Sequence, residues 1–171
     1  MRFEWPSSDP AGFRLADDGP FEIVAGDGAG NRFALLGACA SEPRPLLYVD
    51  HDGAAGVIAG SLQEGLQIIV DVPYWRDLLK FSGGGKLAPM QRAVGHLERA
   101  LDEEVTDIGR LRAEVRRELS LAPLPDAVTS LHQTLATWNG RPRVLWDGQY
   151  PCDSLFGQFV PEDNPTWRNR G

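Results

Sequence analysis

The chain has 171 residues, enough for one domain with a full hydrophobic core. Hydrophobic residues make up 42% of it and charged residues 24%, proportions that exclude an intrinsically disordered protein. The 17 basic and 24 acidic residues give a formal net charge of -7, the wrong sign for a protein that neutralises a nucleic-acid backbone. Residues 1–86 hold 7 of the basic and 12 of the acidic residues, so the front half is the more acidic and suits a basic partner.

The sequence contains no segment typical of a membrane or secreted protein. Its longest nearly uncharged apolar run, residues 65–72, is about eight residues long, whereas a membrane-spanning helix needs about 20. The N-terminus carries an acid and a proline where a signal peptide needs a basic stretch and then an apolar one. The two cysteines, Cys39 and Cys152, are too few for a disulfide framework or a Cys-rich zinc site. We therefore expect a cytoplasmic protein that binds neither membranes nor nucleic acid.

The order of strand-like and helix-like patterns predicts a single α+β domain over residues 1–171. Residues 1–20 are rich in Pro, Gly, Ser and Asp and are predicted to form an irregular lead-in. Residues 21–60 are predicted to form an antiparallel β-meander that packs against helices. Its four predicted strands are residues 21–25, 32–36, 46–50 and 54–59.

The predicted helical part covers residues 61–140. Ser61 and Glu64 have the S-x-x-E spacing of a capping box, which predicts the start of a helix, and Pro73 ends or kinks that helix. Its apolar stripe is predicted to bury against the meander. The residues expected at this contact are Leu62, Leu66 and Ile69 on the helix, and Phe33, Leu35, Leu47 and Val49 on the sheet.

A longer helical pattern occupies residues 87–119, with apolar residues spaced alternately by three and four. Unbroken, it would be about 50 Å long, so we expect either a break near residues 106–109 or an arm that packs against a second copy. Its arginines alternate with Glu114 and Glu118, a pattern typical of a solvated face with i,i+4 ion pairs. A third helix is predicted over residues 128–138, and the tail, residues 141–171, is apolar enough to wrap back onto the body.

No catalytic constellation is evident in the sequence. Asp50, His51 and Asp52 are three adjacent metal-ligand types, but neighbouring residues on a strand point to opposite faces, so at most two are expected to converge. No other cluster stands at metal-ligand spacing. We therefore predict no metal, no cofactor and no catalytic residue.

Three segments resemble the SUKH superfamily, whose members include bacterial immunity proteins against toxins and a fungal regulator of cell-wall synthesis. They are residues 21–35, with the turn sequence Asp27-Gly28-Ala29-Gly30-Asn31, residues 46–52, and residues 58–66 with the Ser-capped helix start. The match extends over about residues 21–70. The resemblance implies an α+β fold in which a sheet packs on helices, a function in binding protein partners, and no shared catalytic residues.

The leading hypothesis is a non-enzymatic cytoplasmic module that binds a protein partner, with a basic toxin domain as the partner that the resemblance implies. The expected partner-binding residues are Asp17, Asp18, Asp27, Tyr48, Asp50 and Asp52. One alternative is a small metal-dependent or acid/base hydrolase that uses the Asp50-His51-Asp52 turn. Another is a helical dimerisation module, with a homodimer formed through the 87–119 region.

Overall fold

The computed structural model describes residues 12–38 and 43–167, and it confirms an α+β architecture. The chain divides into two compact units. The first unit consists of the chain up to Gly65 together with Gln133–Leu155. The second unit consists of Leu66–His132 together with the chain from Phe156 onward.

The first unit contains two β-sheets. Its strands are β1 (Phe13–Leu15), β2 (Phe21–Gly26), β3 (Arg32–Leu36), β4 (Leu46–Val49), β5 (Ala54–Ala59), β6 (Val144–Trp146), β7 (Tyr150–Pro151) and β8 (Asp153–Ser154). The larger sheet has the order β2-β3-β4-β5-β8, and the smaller has the order β1-β6-β7. Strands β2 to β5 form the predicted antiparallel meander, and β8 joins β5 in parallel.

The lead-in contains a strand that the sequence analysis missed. In β1, Phe13 and Leu15 are buried and alternate with exposed Arg14, and β1 pairs with β6 from the tail. Three residues are too short for an alternation to stand out among turn-forming neighbours, which is why residues 12–20 were expected to be irregular. Residues 1–11 of the predicted lead-in, and Cys39, lie outside the described residues.

Strand β4 of the meander is buried on both faces, which corrects the predicted helix contact. Strand β4 has no exposed position, because all four of its side chains are buried. Leu47 and Val49 lie in a cluster with β1 and β6, whereas Phe33 and Leu35 are paired with Tyr48 and Leu46 on the other face. The four sheet residues expected to face one helix therefore belong to two different faces.

The helices are α1 (Leu62–Asp71), α2 (Trp75–Lys80), α3 (Leu87–Glu104), α4 (Ile108–Glu118) and α5 (Ala127–Trp138), followed by a 3-10 turn at Pro161–Asp163. The start of α1 is capped as predicted: Ser61 Oγ accepts the amide of Glu64, and the Glu64 carboxylate accepts the amide of Gly60. The predicted break in the 87–119 region is confirmed between α3 and α4.

The buried face of α1 differs from the predicted one. Of the three predicted contact residues, Leu62 is 40% exposed and Leu66 and Ile69 are half-buried. The buried residues are instead Ile68 and, directly after the helix, Val72. At Gly65 a Cβ atom would overlap the Leu46 side chain, so this glycine lets the first turns of α1 lie directly on β4. Because glycine does not count as apolar in a periodicity argument, the stripe was assigned about one residue away from its true position.

The second unit has its own apolar core and two polar braces. Its fully buried large side chains are Ile68, Trp75, Leu78, Leu79, Met90 and Leu131. In the first brace, Arg112 of α4 pairs with Glu98 of α3; in the second, Arg116 of α4 pairs with Asp71 of α1. Arg112 and Arg116 have no acidic residue at i±4, so they pair with other helices, whereas Arg110 forms the expected i,i+4 pair with Glu114.

Among the described residues, no helix combines the length and the apolarity that crossing a bilayer requires.

Candidate functional site

Two turns lie side by side at one end of the larger sheet. One joins β2 to β3 over residues 27–31, and the other follows β4 over residues 50–53. They meet because β3 and β4 are antiparallel, with Arg32 opposite Val49. We call the side chains that they present, Asp27, Asn31, Asp50, His51 and Asp52, the acidic edge.

Asn31 fastens the two turns together. Its side chain is buried: Nδ2 donates to Asp27 Oδ2 at 2.7 Å, and Oδ1 accepts the backbone amide of His51 at 3.0 Å. The other carboxylate oxygen of Asp27 accepts the amides of Ala29 and Asn31, each at 3.1 Å. Asp27 therefore stabilises the β2–β3 turn, and Asn31 joins that turn to the turn after β4 through hydrogen bonds.

Asp50, His51 and Asp52 converge, contrary to the expectation from the sequence. Their metal-ligand atoms all lie within 4.8 Å of one another. The prediction failed because these residues lie in a turn beyond the end of β4, where the alternation of a strand no longer applies. The exposed fraction of the side chains rises from 15% at Asp50 to 41% at His51 and 82% at Asp52.

Hydrogen bonds within the turn determine which groups face outward. Asp50 Oδ1 accepts the amide of Asp52 at 2.8 Å, and Asp50 Oδ2 accepts the Tyr48 hydroxyl at 3.3 Å. His51 Nδ1 lies 3.0 Å from the acceptor Asn31 Oδ1, which assigns the hydrogen to Nδ1. The outward groups are therefore His51 Nε2 and the Asp52 carboxylate, whose nearest atoms are 3.2 Å apart.

Tyr48 lies inside the sheet. It is 1% exposed, and its ring centroid lies 4.9 Å from that of Phe33. This burial excludes the ring from a contact surface, so Tyr48 is corrected from a partner-binding residue to a support for Asp50.

Asp17 and Asp18 lie apart from the acidic edge. They occupy the turn between β1 and β2, at the opposite end of β2 from Asp27. Asp17 Oδ1 accepts the amide of Gly19, and Asp18, whose side chain is 85% exposed, lies 3.4 Å from Arg14. The six expected residues thus form two separate acidic groups and one buried tyrosine.

Sequence reasoning missed the role of two buried polar residues, Asn31 and Arg44. The Arg44 guanidinium donates to the carbonyls of Leu35, Leu36 and Gly37, and to the Glu22 carboxylate at 2.7 Å. The Gly-rich turn ahead of Asn31 was a usable signal, because such turns often end on a side chain that bonds the backbone. Arg44 has no local signal, since its partners are 7 to 22 residues away in the sequence.

A cavity of about 840 Å³ lies in the first unit, at the end of the sheet opposite the acidic edge. Its described walls come from the β1–β2 turn, the two ends of the segment between β3 and β4, and the chain from the end of α5 to β6. The acidic-edge residues do not line it.

A group of connected pKa shifts lies at the α3–α4 brace of the second unit. The hydrogen bond from Arg112 holds the pKa of Glu98 below its ordinary value. Burial, together with the hydrogen bond to Glu98, raises the pKa of Tyr74. These groups stabilise the packing of three helices, and their pairing explains the shifts without a catalytic role.

Comparison of the chain with protein-family models, with curated proteins and with solved structures gave no match. The SUKH resemblance therefore rests on the residues quoted for it.

Proposed function

We propose that the protein is a non-enzymatic binding module that holds a basic protein partner at the acidic edge. The observation that carries this proposal is the pair of turns fastened through Asn31, which presents His51 Nε2 and the Asp52 carboxylate outward. Carboxylates on a rigid rim steer a cationic partner and fix its register. Because the hydrogen bonds already order the turns, little further ordering is needed on binding.

The same geometry favours binding over hydrolysis. His51 sits on a turn with 41% of its side chain exposed, and the Asp50 carboxylate is engaged by Tyr48 and by the Asp52 amide. Two outward groups are fewer than the three protein ligands of a catalytic zinc site. The hydrolase is therefore the weaker of the two proposals for this turn.

The nature of the partner follows from the SUKH resemblance and from charge. A chain with a net charge of -7 suits a basic protein, and the resemblance extends this to a basic toxin domain that the module neutralises in the cytoplasm.

A bait comparison tests this proposal. Wild-type protein, Asp52→Asn and Asp18→Asn are used in parallel to capture partners from native extract. Asp18 is the matched control, because its side chain is as exposed as that of Asp52 but lies at the other end of β2. We expect a basic protein that the Asp18→Asn bait retains and the Asp52→Asn bait loses. If every captured protein responds equally to both variants, the acidic edge is not the binding surface.

A second candidate function, homodimerisation through α4, has a separate observation in its favour. Helix α4 has no buried residue, and Leu111, Val115 and Leu119 form a stripe that is 38% to 50% exposed. An antiparallel pair of α4 helices centred on Val115 sets Leu111 against Leu119 of a second copy. It also sets Glu114 against Arg116, but both already have partners within the chain, so the apolar stripe carries this candidate.

Sedimentation of Val115→Asp and Ala113→Asp distinguishes this candidate. A pair of 11-residue helices buries less than the roughly 1,600 Å² of a standard interface, so we expect a weak dimer at high protein concentration. We expect Val115→Asp, which places a charge in the apolar stripe, to abolish the dimer. Ala113→Asp places the same charge at an exposed residue outside the stripe and should leave the dimer unchanged. A wild-type protein that is monomeric at every concentration excludes this function.

A further inference from the structure

The cavity in the first unit has an apolar interior. Leu15 and Leu36 are buried in its floor, and Trp138 and the prolines at positions 20, 45 and 142 supply much of its walls. Its volume of about 840 Å³ falls within the range of small-molecule sites, which are concave, mostly apolar and oriented by a few polar groups.

Backbone hydrogen bonds hold the walls in place. The amide of Ala16 donates to the Arg143 carbonyl at 2.9 Å, and the amide of Gly37 donates to the Pro20 carbonyl at 2.8 Å. These bonds tie the β1–β2 turn to both of the other segments that line the cavity.

Buried Arg44 adds a third fixed point beside the cavity, because it donates to the carbonyls at the end of β3 and pairs with Glu22. Removing one partner of a buried charge pair is strongly unfavourable. The described residues that line the cavity are thus held in place by the protein's own hydrogen bonds.

The mouth of the cavity has a positive charge balance in an otherwise acidic chain. Arg141 and Arg143 are exposed there, and neither forms an ion pair with another described residue. Asp17 is the one acid among the described residues of the lining, and its Oδ1 accepts the amide of Gly19. Two guanidinium groups beside an apolar interior match an anionic head on an apolar body, and guanidinium binds carboxylate with paired hydrogen bonds.

We propose that this cavity binds a small apolar molecule that ends in a carboxylate, with the apolar part against Trp138 and Leu36 and the carboxylate at Arg141 and Arg143. This site is separate from the acidic edge, which lies at the other end of the sheet. A failure of either proposal therefore leaves the other intact.

Titration with three probes that share one chain tests the head group. Decanoate, decylamine and decan-1-ol are added separately to the ¹⁵N-labelled protein, below the concentrations at which they form micelles. We expect decanoate to shift the Trp138 indole resonance and the amides of residues 15–20 and 141–143, with saturation at one molecule per chain. Decylamine and decan-1-ol are expected to bind at least about tenfold more weakly, since neither offers the guanidinium groups an anionic acceptor. Equal affinity for all three probes, or decanoate shifts elsewhere in the chain, would overturn the proposal.

Two variants separate the arginines from the cavity itself. In the double variant that carries both Arg141→Gln and Arg143→Gln, we expect the affinity for decanoate to fall about tenfold and the affinity for decan-1-ol to stay unchanged. In Ala16→Phe, which adds a large side chain at a residue of the lining, we expect the affinity to fall for both probes. Arg117→Gln, an exposed arginine on α4, is the control that leaves both affinities unchanged. Normal binding by the double arginine variant and by Ala16→Phe would place the probe outside the cavity.

Discussion

At the scale of single residues, Asn31 does the most to hold the acidic edge together. The Asn31→Ala variant removes the acceptor of the His51 backbone amide and the side-chain donor to Asp27 Oδ2 in a part-buried site. A buried group left unpaired costs about 1–3 kcal/mol. We expect the free energy of unfolding, measured in urea, to fall by that amount.

The control for this prediction is Asn139→Ala. Asn139 is exposed beyond the end of α5, so its removal should change stability by less than about 0.5 kcal/mol. If the two variants lose equal stability, Asn31 does not fasten the two turns.

A metal titration tests the other reading of the same residues. Because Asp50 is engaged within the turn and His51 Nδ1 faces Asn31, we expect dialysis against a chelator to leave the melting temperature unchanged. Zinc that stays bound in equimolar amount after dialysis, and that His51→Ala releases, would make the hydrolase the leading proposal.

Local sequence signals predicted the positions of the turns but could not predict how they are joined. The capping residues Ser61 and Glu64 act within four residues of each other, so their spacing alone predicted the helix start. Asn31 and His51 are 20 residues apart, and Arg44 and Glu22 are 22 apart. Only the pairing of the strands brings such residues together, and a single sequence does not specify it.

At the scale of secondary-structure elements, α1 provides a direct comparison between the predicted and observed buried faces. Ile68→Ala removes a fully buried side chain and should destabilise the protein by about 2–5 kcal/mol. Leu62→Ala, on the predicted face but 40% exposed, should cost less than about 1 kcal/mol. Thermal or urea unfolding measures both. If Leu62→Ala lowers the free energy of unfolding more than Ile68→Ala does, the face predicted from periodicity is the buried one.

The brace between α3 and α4 predicts a dependence of stability on pH. Pairing with Arg112 lowers the pKa of Glu98 in the folded chain below its ordinary value of 4.5. The pair therefore stabilises the fold above that value, and its contribution disappears as the pH falls through the lowered pKa. With Glu98 a third exposed, the contribution is of the order of 1 kcal/mol.

Comparison of wild type with Glu98→Gln isolates this contribution. We expect the variant to be less stable at neutral pH and the difference to vanish in acid. Glu104→Gln, at the exposed end of α3, should show no such convergence. A difference between wild type and Glu98→Gln that stays constant with pH would mean that the pair contributes through packing and not through charge.

Periodicity predicted the elements more reliably than their contacts. Four strands, the helix start at Ser61, the break after α3 and the helix α5 all follow from local patterns. The faces were less predictable, because β4 is buried on both sides and α1 contacts the sheet through Gly65. A pattern of apolar residues cannot distinguish two buried faces, and it assigns no weight to glycine.

At the scale of the whole molecule, charge is unevenly distributed over a chain with a net charge of -7. In the first unit, the acidic edge is at one end of the larger sheet and the cavity mouth with Arg141 and Arg143 is at the other. A basic protein and a small carboxylate would therefore approach different ends of this unit, and each should be insensitive to neutralisation of the other site.

The acidic edge leads to a kinetic prediction for the captured partner. Exposed carboxylates act on a cationic partner at long range, so they raise the association rate more than they slow dissociation. Raising the ionic strength from about 0.01 M to about 1 M shortens the screening length from about 30 Å to about 3 Å, and the association rate should fall steeply over that range.

Asp52→Asn should reduce both the association rate at low salt and its salt dependence, whereas Asp18→Asn, equally exposed on the other turn, should change them much less. Stopped-flow or surface-binding kinetics measure these rates. If the association rate does not depend on salt, or if both substitutions change it equally, the partner binds elsewhere on the chain. Binding at the acidic edge, where Asp27, Asp50 and Asp52 lie together, requires a larger effect of Asp52→Asn.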